Sequence, residues 1–175
     1  TLPAARERLR HRHYLGPMMV RMGAADGLVG GLSHHFSDTV RPALQIIGLE
    51  EGVERVAGLY MMVSQNEVLF FADPVINIDP TAEEVAEIAL QTASMARAFD
   101  VEPRIALVSF STFGSSSHPQ AEKMRRAAEL VRAAQPDLQV EGEMQADLAL
   151  RPETLQEAYP FSRLTERANV LIFPD

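Results

Sequence analysis

The sequence predicts a layered α/β fold, αβα in section, with a mixed and mostly parallel sheet. Three observations carry this. Short apolar runs of strand length alternate with longer stretches whose apolar residues recur at helical spacing, the pattern of an α/β layer architecture. Residues 105–108 (Ile-Ala-Leu-Val) form a near-continuous apolar run, and 169–175 (Asn-Val-Leu-Ile-Phe-Pro-Asp) read as a second apolar strand. A strand buried on both faces of a parallel sheet looks like this. Residues 53–63 and 68–71 flank the turn Ser64-Gln-Asn-Glu67, so a hairpin adds an antiparallel pair and the sheet is mixed.

In chain order, residues 4–11 are a short helical run. Residues 17–22 (Pro-Met-Met-Val-Arg-Met) are apolar and β-compatible, and lead into Gly23-Ala-Ala-Asp-Gly-Leu-Val-Gly-Gly31. That loop has neither the G-x-G-x-x-G spacing of a dinucleotide fold nor the Gly-Lys-Ser/Thr of a P-loop. Residues 37–48 predict a helix stopped by Gly48. Its proper start is near Pro42, because the first turn needs no N–H bond from that residue. Arg41 then sits at the helix start, where a cation gains nothing from the dipole. Either it serves something anionic nearby or it is simply solvated.

Asp79-Pro-Thr-Ala-Glu-Glu84 is a helix start: Asp79 caps with Pro80 in first position, or Thr81 and Glu84 form a capping box. Val85, Ile88, Ala89, Thr92, Met95 and Phe99 follow at helical spacing, and Met95 and Phe99 are assigned to core packing. A second amphipathic helix covers 119–134, with Met124, Ala128 and Val131 on one face and Ser117 and Gln120 placed for a capping box. Residues 138–140 are a short strand running into a loop at 141–147, and 152–158 a short helix.

At 175 residues the chain is one domain or two small lobes, with a lobe boundary expected near 15–35. Apolar content of 46% excludes disorder. No apolar run approaches the roughly 18 residues of a membrane span, and the start has no signal-peptide apolar region, so a cytoplasmic protein without a membrane partner is expected. The absence of Cys excludes disulfides, thiolate metal sites and a cysteine nucleophile. A net charge of −8 argues against a nucleic-acid partner. Arg6, Arg8, Arg10, Arg12 and Arg21 nevertheless cluster with His11 and His13, as a solvated helix face or a local anion-binding patch. The paired His11/His13 and His34/His35 make no recognised metal-ligand set, and no G-x-S-x-G elbow is present.

The most informative stretch is Ser109-Phe-Ser-Thr-Phe-Gly-Ser-Ser116 between the 105–108 strand and the 119–134 helix. A strand–Ser/Gly loop–helix unit offers free N–H groups and a positive dipole end, which suits a phosphate or a carboxylate. The alternative is a capped loop with no ligand. Ligands in such sheets bind outside the carboxyl ends of the strands. The Ser-rich loop, the 141–147 segment and Pro174-Asp175 all follow strands and are expected to line one crevice.

Taken together, six ordered blocks resemble the phosphotransacetylase (phosphate acetyl/butyryl transferase) family over nearly the whole chain. They are Gly23-Ala-Ala-Asp-Gly-Leu-Val-Gly-Gly31, Ser37-Asp-Thr-Val-Arg-Pro-Ala-Leu-Gln-Ile-Ile-Gly48, Phe70-Phe-Ala-Asp73 with Asn77 and Pro80-Thr-Ala-Glu-Glu84, Ser109–Ser116, Gly142-Glu-Met-Gln-Ala-Asp-Leu-Ala149, and Ile172-Phe-Pro-Asp175. Phe113 within its loop, Lys123-Met-Arg125, Glu141-Gly-Glu-Met144, the opening Ala5-Arg-Glu-Arg-Leu-Arg-His-Arg12 and Met18-Met-Val-Arg-Met-Gly23 make it most similar to the C-terminal phosphotransacetylase-like domain of bacterial NADP-dependent malic enzymes.

The resemblance implies an isocitrate/isopropylmalate dehydrogenase-like fold, truncated at its C-terminus, and an acetyl-CoA or CoA cleft. The residues it assigns to that cleft are Arg41, Ser109, Ser111, Thr112, Gly114, Ser115 and Ser116; Asp26, Asp73, Gln145 and Asp147 match positions that are structural or line the cleft. The family's catalytic base, an Asp following a Ser-Arg pair, falls beyond Asp175, so no catalytic residue is assigned here. The function expected on this basis is a regulatory, homo-oligomerising module that binds acetyl-CoA. It would report to a malic-enzyme catalytic domain of the same chain, where NADP and Mg²⁺ or Mn²⁺ serve the oxidative decarboxylation of malate to pyruvate. One alternative is a fragment of an active phosphate acetyltransferase, moving acetyl between CoA and phosphate; another is a ligand-free oligomerisation scaffold. Because the last strand has no covering segment after it, it is expected to leave an open sheet edge.

Overall fold

The computed structural model describes residues 2–65 and 67–175. The chain divides into two compact units, one ending at Glu54 and the other Arg55–Asp175, a division further along than the expected 15–35 boundary.

The first unit is helical: α1 (Leu2–Arg8), α2 (Arg12–Arg21) and α3 (Phe36–Ile46), with α2 and α3 packed together. Residues 17–21 are thus helix, not a β-compatible run; a short apolar stretch carries no period that separates the two. Pro17 is buried inside α2 and Pro42 inside α3, each removing one bond from the i→i−4 ladder while its ring fills the interior. As α3 begins six residues before Pro42, Arg41 lies in mid-helix rather than at the helix start. Gly48, at φ +81°, stops the chain just past the cap residue Ile47, as a left-handed residue after a helix does.

The second unit holds the sheet: β1 (Tyr60–Val63), β2 (Val68–Ala72), α4 (Ala82–Ala98), β3 (Arg104–Val108), α5 (Pro119–Ala134), β4 (Gln139–Met144), α6 (Ala146–Ala149), α7 (Pro152–Ala158) and β5 (Val170–Ile172). The strand order is β1-β2-β5-β3-β4, antiparallel only between β1 and β2, so the expected mixed and mostly parallel sheet is observed. Alternation along β3 makes the layers. Ile105 and Leu107 point to the α4/α5 side with Val85, Ile88, Met124 and Val131, whereas Ala106 and Val108 point to the other side with Met144, Ala149, Leu155 and Leu164. Each fully buried Leu, Ile or Val contributes about 1.5–3 kcal/mol, and both faces of the central strands are covered.

Several elements differ from expectation. The first hairpin strand is only Tyr60–Val63; its turn is closed by the Ser64 N–H donating to the Glu67 carbonyl at 2.9 Å, while Asn66 lies outside the described residues. At α4 the Thr81–Glu84 capping box forms, and Asp79 turns instead to Lys123 at 3.1 Å. Met95 and Phe99 are 46% and 51% exposed, so they are not core. The buried face of α4 is Val85, Ala86, Ile88, Ala89, Thr92, Ala93 and Ala96, whose small residues let α4 lie close against α5. The cap of α5 is His118, whose Nδ1 accepts from the Gln120 N–H at 3.2 Å, rather than a Ser117–Gln120 box. β4 runs on to Met144, through residues expected to be a loop. Finally, β5 is central, between β2 and β3, so the last strand leaves no open edge; β1 and β4 are the edges.

Candidate functional site

Because β3, β4 and β5 are parallel, their carboxyl ends emerge together. A cavity of about 640 Å³ lies there, lined by Ser109 and Phe110 after β3, Gln145 and Asp147 after β4, and Phe173, Pro174 and Asp175 after β5, with Gln120 of α5 alongside. The three segments expected to share a crevice do share one. Its floor is tied down by the backbone: the Ser109 N–H donates to the Met144 carbonyl at 2.9 Å, and the Gln145 side chain donates to the Phe110 carbonyl at 3.2 Å. Lys123, almost buried, donates to the Pro174 carbonyl at 2.8 Å and to Asp79, locking the β5 end to α5. That Lys123 bond is the chief reason the Asp79 carboxyl is held below its ordinary range.

The Ser-rich loop has a different anatomy from an empty cradle. Every backbone N–H from 111 to 116 is already used inside the protein. Ser111 donates to Ser109 Oγ (3.2 Å), Thr112 to Ser115 Oγ (3.0 Å), Phe113 to the Glu143 carbonyl (2.9 Å), and Gly114 to Glu143 Oε1 (2.8 Å). Ser115 donates to the Thr112 carbonyl (3.0 Å) and Ser116 to Ser111 Oγ (3.1 Å). The carboxylate in the seat is Glu143, which also accepts from Ser111 Oγ at 2.9 Å and from Arg125 Nε and Nη2 at 2.9 and 3.1 Å. Burial pushes this carboxyl up, but Arg125, the Gly114 N–H and the Ser111 hydroxyl outweigh it, and its pKa lies below the ordinary carboxylate range. The expected set therefore divides: Ser109 faces the cavity, Ser111 is fully buried with its hydroxyl committed, and Thr112 Oγ1 accepts from the Gln145 N–H at 3.2 Å.

Arg125 and Glu143 enter the sequence reading only as marks of the resemblance, and neither has a role in the site there. Two acids flanking a glycine look like a surface turn; the signal available was their position between apolar Val140 and Met144, with Arg125 and Arg132 facing inward at helical spacing on α5. Glu141, also buried, pairs with Arg132 at 2.7 Å and accepts the Arg163 N–H at 3.0 Å. A second cavity of about 520 Å³ lies between these pairs and the aromatic group of Phe113, Tyr159 and Phe161, whose rings pack 4.9–5.9 Å apart.

The remaining predicted residues are placed as follows. Asp73 is buried and accepts from the Val75, Ile76 and Asn77 N–H groups at 3.0–3.1 Å and from the Asn77 side chain, so it organises the turn after β2. Asp26 is exposed in the Gly-rich loop. Arg41 is exposed on α3 and lines a cavity of about 340 Å³ within the first unit, together with His11, His13, Tyr14 and Asp38. Of the basic cluster, then, His11 and His13 join Arg41, whereas Arg10 pairs with Glu7 at 3.1 Å on the surface of the first helices. Among the described residues no group of three or more His, Asp or Glu could hold a metal ion, and no helix is long and apolar enough to cross a membrane.

Known proteins resemble the chain throughout its length. The family model described as Phosphate acetyl/butaryl transferase matches residues 1–175. The phosphate acetyltransferase of Bacillus subtilis (strain 168) is 44% identical over 170 residues, covering 97% of this chain and 53% of that protein. The crystal structure of a phosphotransacetylase from Streptococcus pyogenes superposes with a TM-score of 0.87 at 47% identity, covering 100% of this chain and 54% of that one. The EutD phosphotransacetylase from Staphylococcus aureus gives 0.85 at 39% identity, covering 97% and 52%. The chain thus spans about half the length of these relatives. A full-length family match, close relatives and a shared mixed sheet with its loops at the strand ends leave one assignment: the chain belongs to the phosphate acetyl/butyryl transferase family.

Proposed function

We propose that the chain is part of a phosphate acetyltransferase, acting in the transfer of an acetyl group between CoA and phosphate. The observation that carries this is the 44% identity to a phosphate acetyltransferase across almost the whole chain. In this reading the CoA sulfur attacks the carbonyl carbon of acetyl phosphate, the bond from that carbon to the phosphate oxygen breaks, and inorganic phosphate leaves. A thiol of pKa about 8.5 must pass its proton to a base. No residue here is assigned that role. What these residues supply is binding: Ser109 with Gln145 borders the cleft at the carboxyl ends of β3 and β4, and Arg41, in its own cavity of the first unit, offers a cation to a phosphate group.

Beside the blocks at 5–12, 18–23, 123–125 and 141–144, one of the marks behind the malic-enzyme reading is Phe113. That ring packs against Tyr159 and Phe161 and does not line the cavity at the strand ends, so its bulk has a packing reason and gives no cause for a changed ligand. NADP and divalent metal accordingly form no part of the proposal. Its substrates are charged metabolites, and the compartment we assign is the cytoplasm. A homo-oligomer belongs to the same reading, since Tyr60, Met61, Met62 and Val63 leave edge strand β1 apolar and exposed.

The test is thioester formation from acetyl phosphate and CoA by the protein that carries this chain. Turnover is expected. Its absence, with malate-dependent NADP reduction in its place, would reject the transferase. Arg41→Ala is expected to weaken CoA binding by ~1 kcal/mol or more, about fivefold, as loss of a charge-assisted bond does. Unchanged affinity by calorimetry would remove Arg41 from the site.

A further inference from the structure

Glu143 is 0% exposed, sits on β4, and does not line the cavity at the strand ends, yet it organises the loop that does. An ionised carboxylate only accepts hydrogen bonds. Ser111, 2.9 Å away, must therefore donate its single O–H to the Glu143 carboxylate. Having done so, Ser111 Oγ accepts from both the Ser115 hydroxyl and the Ser116 N–H, each at 3.1 Å. Ser115 Oγ in turn accepts from the Thr112 N–H at 3.0 Å. One buried charge sets the direction of the Ser111 and Ser115 hydroxyls.

No neutral group of the same shape accepts from all four of the donors around it. Oε1 accepts from Ser111, Gly114 and Arg125 Nη2, and Oε2 from Arg125 Nε. An amide here would set its NH2 against three donors in one orientation and against the Arg125 N–H in the other. Either way at least one donor loses its partner, the loop donors in one case and the part-buried Arg125 Nε in the other.

We propose that Glu143 is a positioning residue: its carboxylate holds the 111–116 loop in the shape that presents Ser109 and Gln145 to the ligand. This rests on the reading of that cavity as the CoA cleft. The connection is direct, since the Ser111 N–H donates to Ser109 Oγ and Thr112 Oγ1 accepts the Gln145 N–H. The side chain does not touch ligand; it acts through the loop.

The experiment compares wild type with Glu143→Gln in the protein that carries this chain, reading amide hydrogen exchange, CoA affinity by calorimetry, and steady-state acetyl transfer. Ser111→Ala cuts the same link while leaving Arg125 and Gly114 on the carboxylate; it replaces Glu143→Gln if that variant does not fold, and there the amide expected to exchange faster is 116. The expected result is exchange at 114 and 116 faster by about tenfold or more, with β3 and α5 amides unchanged, as a lost buried hydrogen bond predicts. CoA Kd and KM should rise about tenfold with kcat altered less than about threefold, the mark of lost binding rather than lost chemistry. Loop exchange as in wild type would overturn the proposal. So would a loosened loop with unchanged CoA affinity, or a fall in kcat alone. Wild type that neither binds CoA nor transfers acetyl would instead strike the functional reading, and this inference with it.

Discussion

Replacing Gly142 by Ala is the sharpest test of how β3 and β4 are joined. Gly142 sits in β4 opposite Leu107 with φ +147°. A Cβ there would lie 2.7 Å from both the Leu107 Cβ and the Leu107 carbonyl oxygen, and 3.2 Å from its Cα. These atoms belong to a buried central strand and cannot swing aside, so the two strands must separate. The backbone conformation alone costs an L-residue roughly 1–3 kcal/mol. Overpacking a close-packed site adds about 1–3 kcal/mol, for a sum of order 2–6 kcal/mol against a typical total of about 5–15 kcal/mol. Gly114→Ala separates the two contributions. It too has positive φ (+86°), but the nearest atom to its Cβ is Arg125 Nη2 at an ordinary 3.9 Å. Only a left-handed penalty of about 1–2 kcal/mol is expected there. Urea unfolding followed by circular dichroism measures both, through midpoints compared at a common slope. A Gly142→Ala protein no less stable than Gly114→Ala would refute the close-contact argument.

Other outcomes follow from the same structure. Thr81→Ala should cost about 1 kcal/mol, because Thr81 Oγ1 and the Glu84 side chain satisfy one another's backbone N–H groups at the start of α4; an unchanged urea midpoint would deny the cap its role. Acid should unfold the protein partly through Glu143. Its folded pKa lies below its unfolded value, so its contribution is present above the ordinary carboxylate range and is lost as pH falls through the depressed folded value. Glu143→Gln should therefore flatten the loss of stability below about pH 5, and an identical slope in the two proteins would contradict this assignment. The Arg41→Ala and Glu143→Gln binding measurements complete the set.

What could be read along the chain was what neighbouring residues settle among themselves. α5 appears at its predicted bounds, because Pro119 opens it and Met124, Ala128 and Val131 recur at its own period. α4 starts where Thr-x-x-Glu closes its capping box, and residues 105–108 were apolar enough to be a two-sided strand. The crevice was legible as well, since loops after parallel strands meet at one end of the sheet.

What could not be read depended on partners distant in sequence. Met95 and Phe99 fall on the helical stripe but outside the contact, because alanines on α4 bring it close to α5. β5 ends the chain yet lies at the middle of the sheet, a matter of crossover order rather than of its own residues. Glu-Gly-Glu at 141–143 is too polar to suggest a strand; it is one because Arg132 and Arg125, on a packed helix, neutralise both acids. The Ser-rich loop shows the division most clearly. Its composition announced a seat for a phosphate or a carboxylate, since hydroxyls and free N–H groups are local properties. Which anion occupies the seat was decided by the pairing of β3 with β4, which brings Glu143 within 2.9 Å of Ser111 across 32 residues of chain.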